Sequence, residues 1–175
     1  MNDYASTTYD KKQTLDFKIS FFYLFLFLLG AMVIALLAYL LSANKFFDFV
    51  VNGEPSFFLS AKLLKYLTLI GLDFVAIASY LMWFSNYSAK RPKKEIHENF
   101  IYLSLFIILF LLYPLFTFAI VQPVVGCCIL GVAIGLSIYV TYRYFNSSIS
   151  AGIFMTIWTL WLMFVFILNL AYCLL

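Results

Sequence analysis

The sequence predicts an all-α fold, a polytopic membrane protein built as a bundle of five transmembrane helices. Three observations predict it. The 175 residues are 65% hydrophobic and 11% charged, whereas a soluble domain carries roughly 45–50% apolar and about 25% charged residues. Five runs with few or no charges each approach the ~20 residues needed to cross a bilayer. The connections between them hold most of the Lys, Arg, Asp and Glu, as expected where span ends meet water.

Residues 1–18 are polar, carry Asp3, Asp10, Lys11, Lys12, Asp16 and Lys18, and read as a short cytosolic tail ahead of a membrane domain over 19–175. The first span, 19–41, is free of charge and longer than the roughly 7–15 apolar residues of a signal-peptide core. The connection that follows places Phe46, Phe47, Phe49, Phe57 and Phe58 among Asn44, Lys45, Asp48, Glu54 and Pro55. Five Phe near water need cover, so this loop either lies in the interfacial layer or folds over the bundle as a lid.

The second span, 60–83, is the most polar. Tyr66, Asp73 and Tyr80 recur every seven residues on one face, which reads as an inward stripe. Asp73 falls near mid-membrane, where an ionisable side chain costs about 2.5–3.5 kcal/mol or more unless protonated or paired. It is either a protonated acid bonded to a neighbouring helix or a contact for a ligand or ion.

Lys90, Arg91, Lys93 and Lys94 surround Pro92 in the next connection, with His97 between Glu95 and Glu98. These charges read as a topogenic loop, and His97 as a solvated side chain. The third span, 100–120, carries Tyr102 and Tyr113 on one face, with Pro114 as a kink. Gln122-Pro123 leaves only a short turn, so the third and fourth spans are antiparallel neighbours. In the fourth span, 124–142, Gly131 and Gly135 lie four apart and offer a strip for close approach of another helix backbone. Arg143 to Ser148 read as a turn into the fifth span, 150–174.

In that last span Trp158, Trp161, Val165, Asn169 and Tyr172 share one sector of the helix. Leu160, Met163, Phe166, Ile167 and Leu170 cover much of the rest. An Asn amide in hydrocarbon is costly, so the Asn169 face turns toward other helices or a cavity.

Positive charge sets orientation. The tail and the second and fourth connections hold Lys11, Lys12, Lys18, Lys90, Arg91, Lys93, Lys94 and Arg143, against Lys45, Lys62 and Lys65 on the other side. The N-terminus is therefore expected in the cytosol, and the first loop and the C-terminus outside.

Several chemistries are excluded. A net charge of +3 is too small to argue for nucleic acid. Cys127, Cys128 and Cys173 lie in apolar runs without metal-ligand spacing and read as small buried hydrophobes. There is no Gly-rich phosphate loop, and the single histidine is in a charged connection, so no Ser-His-Asp set forms. No catalytic residue, metal site or required cofactor is assigned. Aromatic groups on three helices suit either a dense core or a cavity for a flat apolar ligand.

The last span carries a family resemblance. Ile157-Trp158-Thr159-Leu160-Trp161, Phe164-Val165 and Leu168-Asn169 keep the spacing of the fifth helix in the TspO/MBR family, the tryptophan-rich sensory proteins and the mitochondrial translocator protein. Glu54-Pro55-Ser56-Phe57, preceded by Phe46-Phe47, resembles the family's first loop, and Leu112-Tyr113-Pro114-Leu115-Phe116 the end of its third helix. The chain departs from the pattern at several points. Leu59-Ser60 stands for a double proline, Thr68 or Tyr66 for a helix-two tryptophan, Cys127 or Cys128 for an acidic residue, and the helix-three asparagine is missing.

The resemblance implies a bacterial plasma-membrane protein that binds a porphyrin or lipid-like ligand beneath the first loop, commonly as a homodimer, with a sensing, regulatory or transport role. Trp161, Trp158, Asn169, Tyr66, Thr68, Asp73 and Tyr113 would line the site, with Phe57 and Phe58 in the lid. Light-dependent breakdown of protoporphyrin in the family is tied to two tryptophans, of which Trp161 alone is matched, so binding without catalysis is expected. Two other classes compete. One is a small proton-coupled carrier using Asp73, the other an assembly partner docking through Gly131 and Gly135.

Overall fold

A computed structural model describes the backbone of residues 3–42, 61–89 and 92–174, and the side chains of 20–42, 63–89 and 92–171. Its helices are α1 (Asp3–Leu41), α2 (Ala61–Ser88), α3 (Lys93–Pro114), α4 (Pro123–Ser147) and α5 (Ile149–Leu174). Among the described residues, all five are long and apolar enough to cross a membrane, and the protein is an all-α integral membrane bundle.

Four helices run beyond the spans expected from hydropathy, α2 by continuing past Trp83 to Ser88. α1 includes the polar tail, because no Gly or Pro interrupts the chain between Asp3 and Gly30. α3 begins at Lys93 directly after Pro92, with Glu95 in its first turn, where a carboxylate complements the helix dipole. α4 extends to Ser147, so Arg143 lies inside a helix and not in a turn. Only Ser148, extended at φ −159° and ψ 129°, separates α4 from α5.

Pro114 does more than kink its helix. Without an N–H it ends the α-helical ladder, and Leu115–Ala119 form a π-helical turn in which the Ile120 amide donates to the Leu115 carbonyl at 3.0 Å. The reversal into α4 then passes through Val121 at φ +57°, with Pro123 opening the new helix.

The helices form a ring in the order α1, α2, α5, α4, α3, with α3 closing lightly on α1. Burial is uneven around it. About 44% of the membrane-crossing windows of α2 and α5 is buried, against 11% of α1. At the centre Trp158 is wholly buried, edge-on to Phe106 at 6.4 Å and Phe110 at 5.5 Å. Gly71 of α2 lies against its ring, and a Cβ there would overlap it.

Side-chain hydrogen bonds join the same helices, and in lipid these matter because apolar burial gives helices no preference for one another over acyl chains. Thr159 of α5 pairs with Ser137 at 2.7 Å and Thr141 at 3.0 Å on α4. Ser79 of α2 meets the Tyr144 hydroxyl at 3.0 Å. Ser85 donates to the Ser147 carbonyl at 2.8 Å. Arg143 reaches α3, donating to Asn99 at 2.9 Å and Glu98 at 3.1 Å, 5.6 Å above the Tyr102 ring.

Candidate functional site

The interior face of α5 is where its sequence places it. Trp158, Val165 and Asn169 are buried, while Leu160, Ile167 and Leu170 face outward. The Asn169 amide donates to the Tyr113 hydroxyl and to the Val165 carbonyl, both at 2.8 Å. The Trp161 indole N–H donates to Thr68 Oγ1 at 3.2 Å, and the Thr68 hydroxyl donates to the Leu64 carbonyl at 2.9 Å. These groups meet one another across α2, α3 and α5. Trp158 also packs against Gly71, so these side chains of α2 and α5 touch one another directly.

Two hollows lie along α1. A first hollow of about 300 Å³ sits between α1, α2 and α3, walled by Phe27, Gly30, Ala31, Ile34, Leu72, Val75, Ala76, Leu103, Phe106 and Phe110. Its polar lining residues are Tyr23 and Ser79, and the Ser79 hydroxyl is engaged by the Val75 carbonyl at 2.7 Å and by Tyr144. Phe106 and Phe110 separate this hollow from Trp158. A second hollow of about 540 Å³ lies between α1 and α2 toward the first loop, bounded by Met32, Ala35, Leu36, Ala38, Tyr39, Lys65, Tyr66, Thr68, Leu69 and Leu72. Leu72 lines both.

The side chains of α1 explain the space. Near the far end, aromatic contacts pin α1 to its neighbours: Tyr23 lies 4.5 Å from Trp83, Phe27 lies 6.2 Å from Tyr80 and 6.1 Å from Phe100, and Ser20 bonds the Tyr80 hydroxyl. Beyond Phe27 the inward positions include Ile34, but Gly30, Ala31, Ala35 and Ala38 are too short to fill the gap. Gly30 has nothing within 4 Å of where a Cβ would stand.

Of the expected site residues, the structure brings Tyr66 and Thr68 to the second hollow, with Trp161 directly behind Thr68. Trp158, Tyr113 and Asn169 are packed core residues and line neither hollow. Phe57 and Phe58 lie outside the described residues, as do Lys90 and Arg91 of the basic connection.

The stripe of Tyr66, Asp73 and Tyr80 does not face inward. α2 turns Leu64, Thr68, Gly71, Val75, Ala78 and Met82 to the core, and the stripe lies on its other side. Tyr66 is 62% exposed, Tyr80 leans on α1, and Asp73 is half-buried with no hydrogen bond or ion pair among the described residues. The physical reason is that Thr68 and Ser79 satisfy their hydroxyls on carbonyls four residues back and can face a core, whereas a tyrosine is content at a greasy surface. Tyr102 is partly buried against the edge of the core, its ring edge-on to Tyr139 at 4.9 Å.

The glycine strip of α4 receives no helix backbone from the described residues of this chain. A Cβ at Gly131 would stand 3.6 Å from the Phe166 ring, and one at Gly135 would meet nothing within 4 Å among the described residues. The close approaches fall at Gly71 against Trp158, Gly126 against Thr117 and Gly152 against Phe145. Cys127 is buried as expected, but Cys128 is exposed on the outer face. Residue pattern alone missed the Arg143, Glu98 and Asn99 cluster, because Arg143 was assigned to a turn. The spacing of Ser137 and Thr141, one turn apart and opposite Thr159, was a readable signal for the α4–α5 contact. No protein-family model matches the chain, and neither does any curated protein or solved structure.

Proposed function

We propose that the protein binds an apolar small molecule, a porphyrin or lipid-like ligand of the TspO type, in the slot that α1 forms with α2 and α3. The observation that carries this reading is the contrast in packing around the ring. The junctions α2–α4, α2–α5, α3–α4 and α4–α5 each have a polar lock, while α1 from Gly30 to Tyr39 borders two hollows, the first mostly apolar and the second with Thr68, Lys65 and two tyrosines among its walls. Their volumes fall within or near the roughly 300–1,000 Å³ usual for small-molecule sites. The resemblance of the fifth helix supports the same class of ligand. Trp161 would then act as a prop, fixing Thr68 at the wall of the slot.

The test is binding of protoporphyrin and of apolar fluorescent probes to the full chain in lipid nanodiscs. Gly30→Leu would fill the first hollow without a steric clash and is expected to lower affinity at least about tenfold. Trp161→Ala is expected to weaken binding less, through Thr68. Unaltered affinity in Gly30→Leu would move the ligand elsewhere or abolish the reading.

A second reading, a proton-coupled carrier, has one observation in its favour. Asp73 is an acid within a membrane-crossing helix that has no partner among the described residues. It lines neither hollow, so such a carrier would load at the outer side of α2. Proton flux in vesicles that persists in Asp73→Asn would remove it.

A further inference from the structure

Asp73 stands apart from the polar groups that hold the bundle together. Thr68, Ser79, Thr159 and Asn169 each find a partner inside the chain, whereas the Asp73 carboxyl has no hydrogen bond or ion pair among the described residues. It lies about 18 Å along α2 from Ala61 and roughly 22 Å from Ser88, in the middle of a helix that crosses the membrane. An ionisable side chain at that depth is costly unless something pairs with it.

The surroundings of Asp73 say what kind of partner fits. Tyr66, Leu69, Ile70 and Asp73 share the outer side of α2, the first three exposed and Asp73 half-buried. Asp73 lines neither hollow along α1, and a small molecule is held by concave walls. A helix laid along α2 needs no hollow.

Charge decides between a second copy and a different protein. A carboxylate in hydrocarbon is best matched by Lys or Arg, which both neutralises it and donates hydrogen bonds to it. A second copy has none to offer at the depth of Asp73. Residues 19–44, 66–89, 100–142 and 144–175 contain no Lys or Arg. Arg143 is engaged by Glu98 and Asn99 near the end of α4, and Lys65 sits about 12 Å from Asp73 along the helix axis, in the first turns of α2.

We infer that the outer face of α2 docks a transmembrane helix of another membrane protein, one that carries a lysine or arginine near its middle, with Asp73 as the acidic half of the pair. Lipid gives apolar helices little preference for one another, so a single charge-assisted contact selects this partner and fixes its depth. Leu69 and Ile70 supply apolar surface beside the pair. The inference does not rest on the hollows along α1. It gives Asp73 a standing partner, where a carrier would need the acid free to exchange protons.

The experiment uses the full chain, labelled with a fluorescence donor, in phosphatidylcholine vesicles. The probes are acceptor-labelled synthetic helices of about 20 leucines, unaltered or with a single lysine or glutamine at the centre. Energy transfer is expected to show the lysine helix associating at least about tenfold more tightly than the leucine helix. That advantage should disappear in Asp73→Asn and persist in Asp73→Glu. Equal association of the lysine and leucine helices, an advantage that survives Asp73→Asn, or a glutamine helix that binds as well as the lysine helix overturns the proposal. So does energy transfer between two copies of the chain that is lost in Asp73→Asn, which would assign the acid to a second copy.

Discussion

The wedge formed by α2, α4 and α5 and the strip of α1 beyond Phe27 sit in the same bilayer and solve opposite problems. In the wedge, Trp158 fits against Gly71, Thr159 bridges to two hydroxyls of α4, and Ser79 meets Tyr144. In the strip, small side chains face space, and the helix is anchored mainly at its aromatic end by Ser20, Tyr23 and Phe27. Lipid gives neither region a hydrophobic reason to close. Shape complementarity and paired hydroxyls close the first, and their absence leaves the second bordered by hollows.

The largest effect should come from breaking the wedge at its centre. Trp158→Ala removes a fully buried ring held by Phe106, Phe110 and Gly71. We expect a loss of about 3–5 kcal/mol, read as a large fall in the thermal midpoint of the detergent-solubilised protein. Gly71→Val should act on the same contact from the other side by driving a side chain into the indole. If Trp158→Ala melts like the unaltered protein, the wedge is not the rigid half.

Next in size are the hydroxyl bridges. Thr159→Val keeps the shape and leaves Ser137 and Thr141 without their partner. In membrane bundles such bonds contribute about 0.6 kcal/mol on average and up to about 1.7. A double-mutant cycle with Ser137→Ala should return a coupling in that range. A coupling of zero would mean that packing alone holds α4 to α5.

The contrast between the two regions was only half legible in the sequence. Five uncharged runs reveal the bundle, since a backbone in hydrocarbon must satisfy its own hydrogen bonds. Hydropathy does not reveal where helices stop, because Lys93 to Glu98 and Arg143 to Ser147 go on as helix on polar residues. Asn169 announced the inner face of α5, as an amide has one tolerable direction there. Tyr66 and Asp73 misled, since neither a phenol nor a lone acid is bound to the interior. A hollow is harder still to read. It depends on what Gly30 fails to touch across three helices, and no local pattern encodes a missing contact.

The smallest expected effect separates the outer surface from both regions. Gly135 and Gly71 are the same residue type on two neighbouring parts of the ring, yet one has nothing within 4 Å and the other holds the Trp158 ring. Gly135→Leu should therefore change stability by no more than about 0.5 kcal/mol, as for other substitutions away from packed or strained features. Replacing glycine inside a helix also removes a conformational penalty, so any shift should be upward. A thermal scan with size-exclusion chromatography of the same sample checks both points. A fall in midpoint together with a smaller particle would show that Gly135 holds a second chain. The strip beside Gly131 would then be an assembly surface, and its exposure in one copy would be the mark of the missing neighbour.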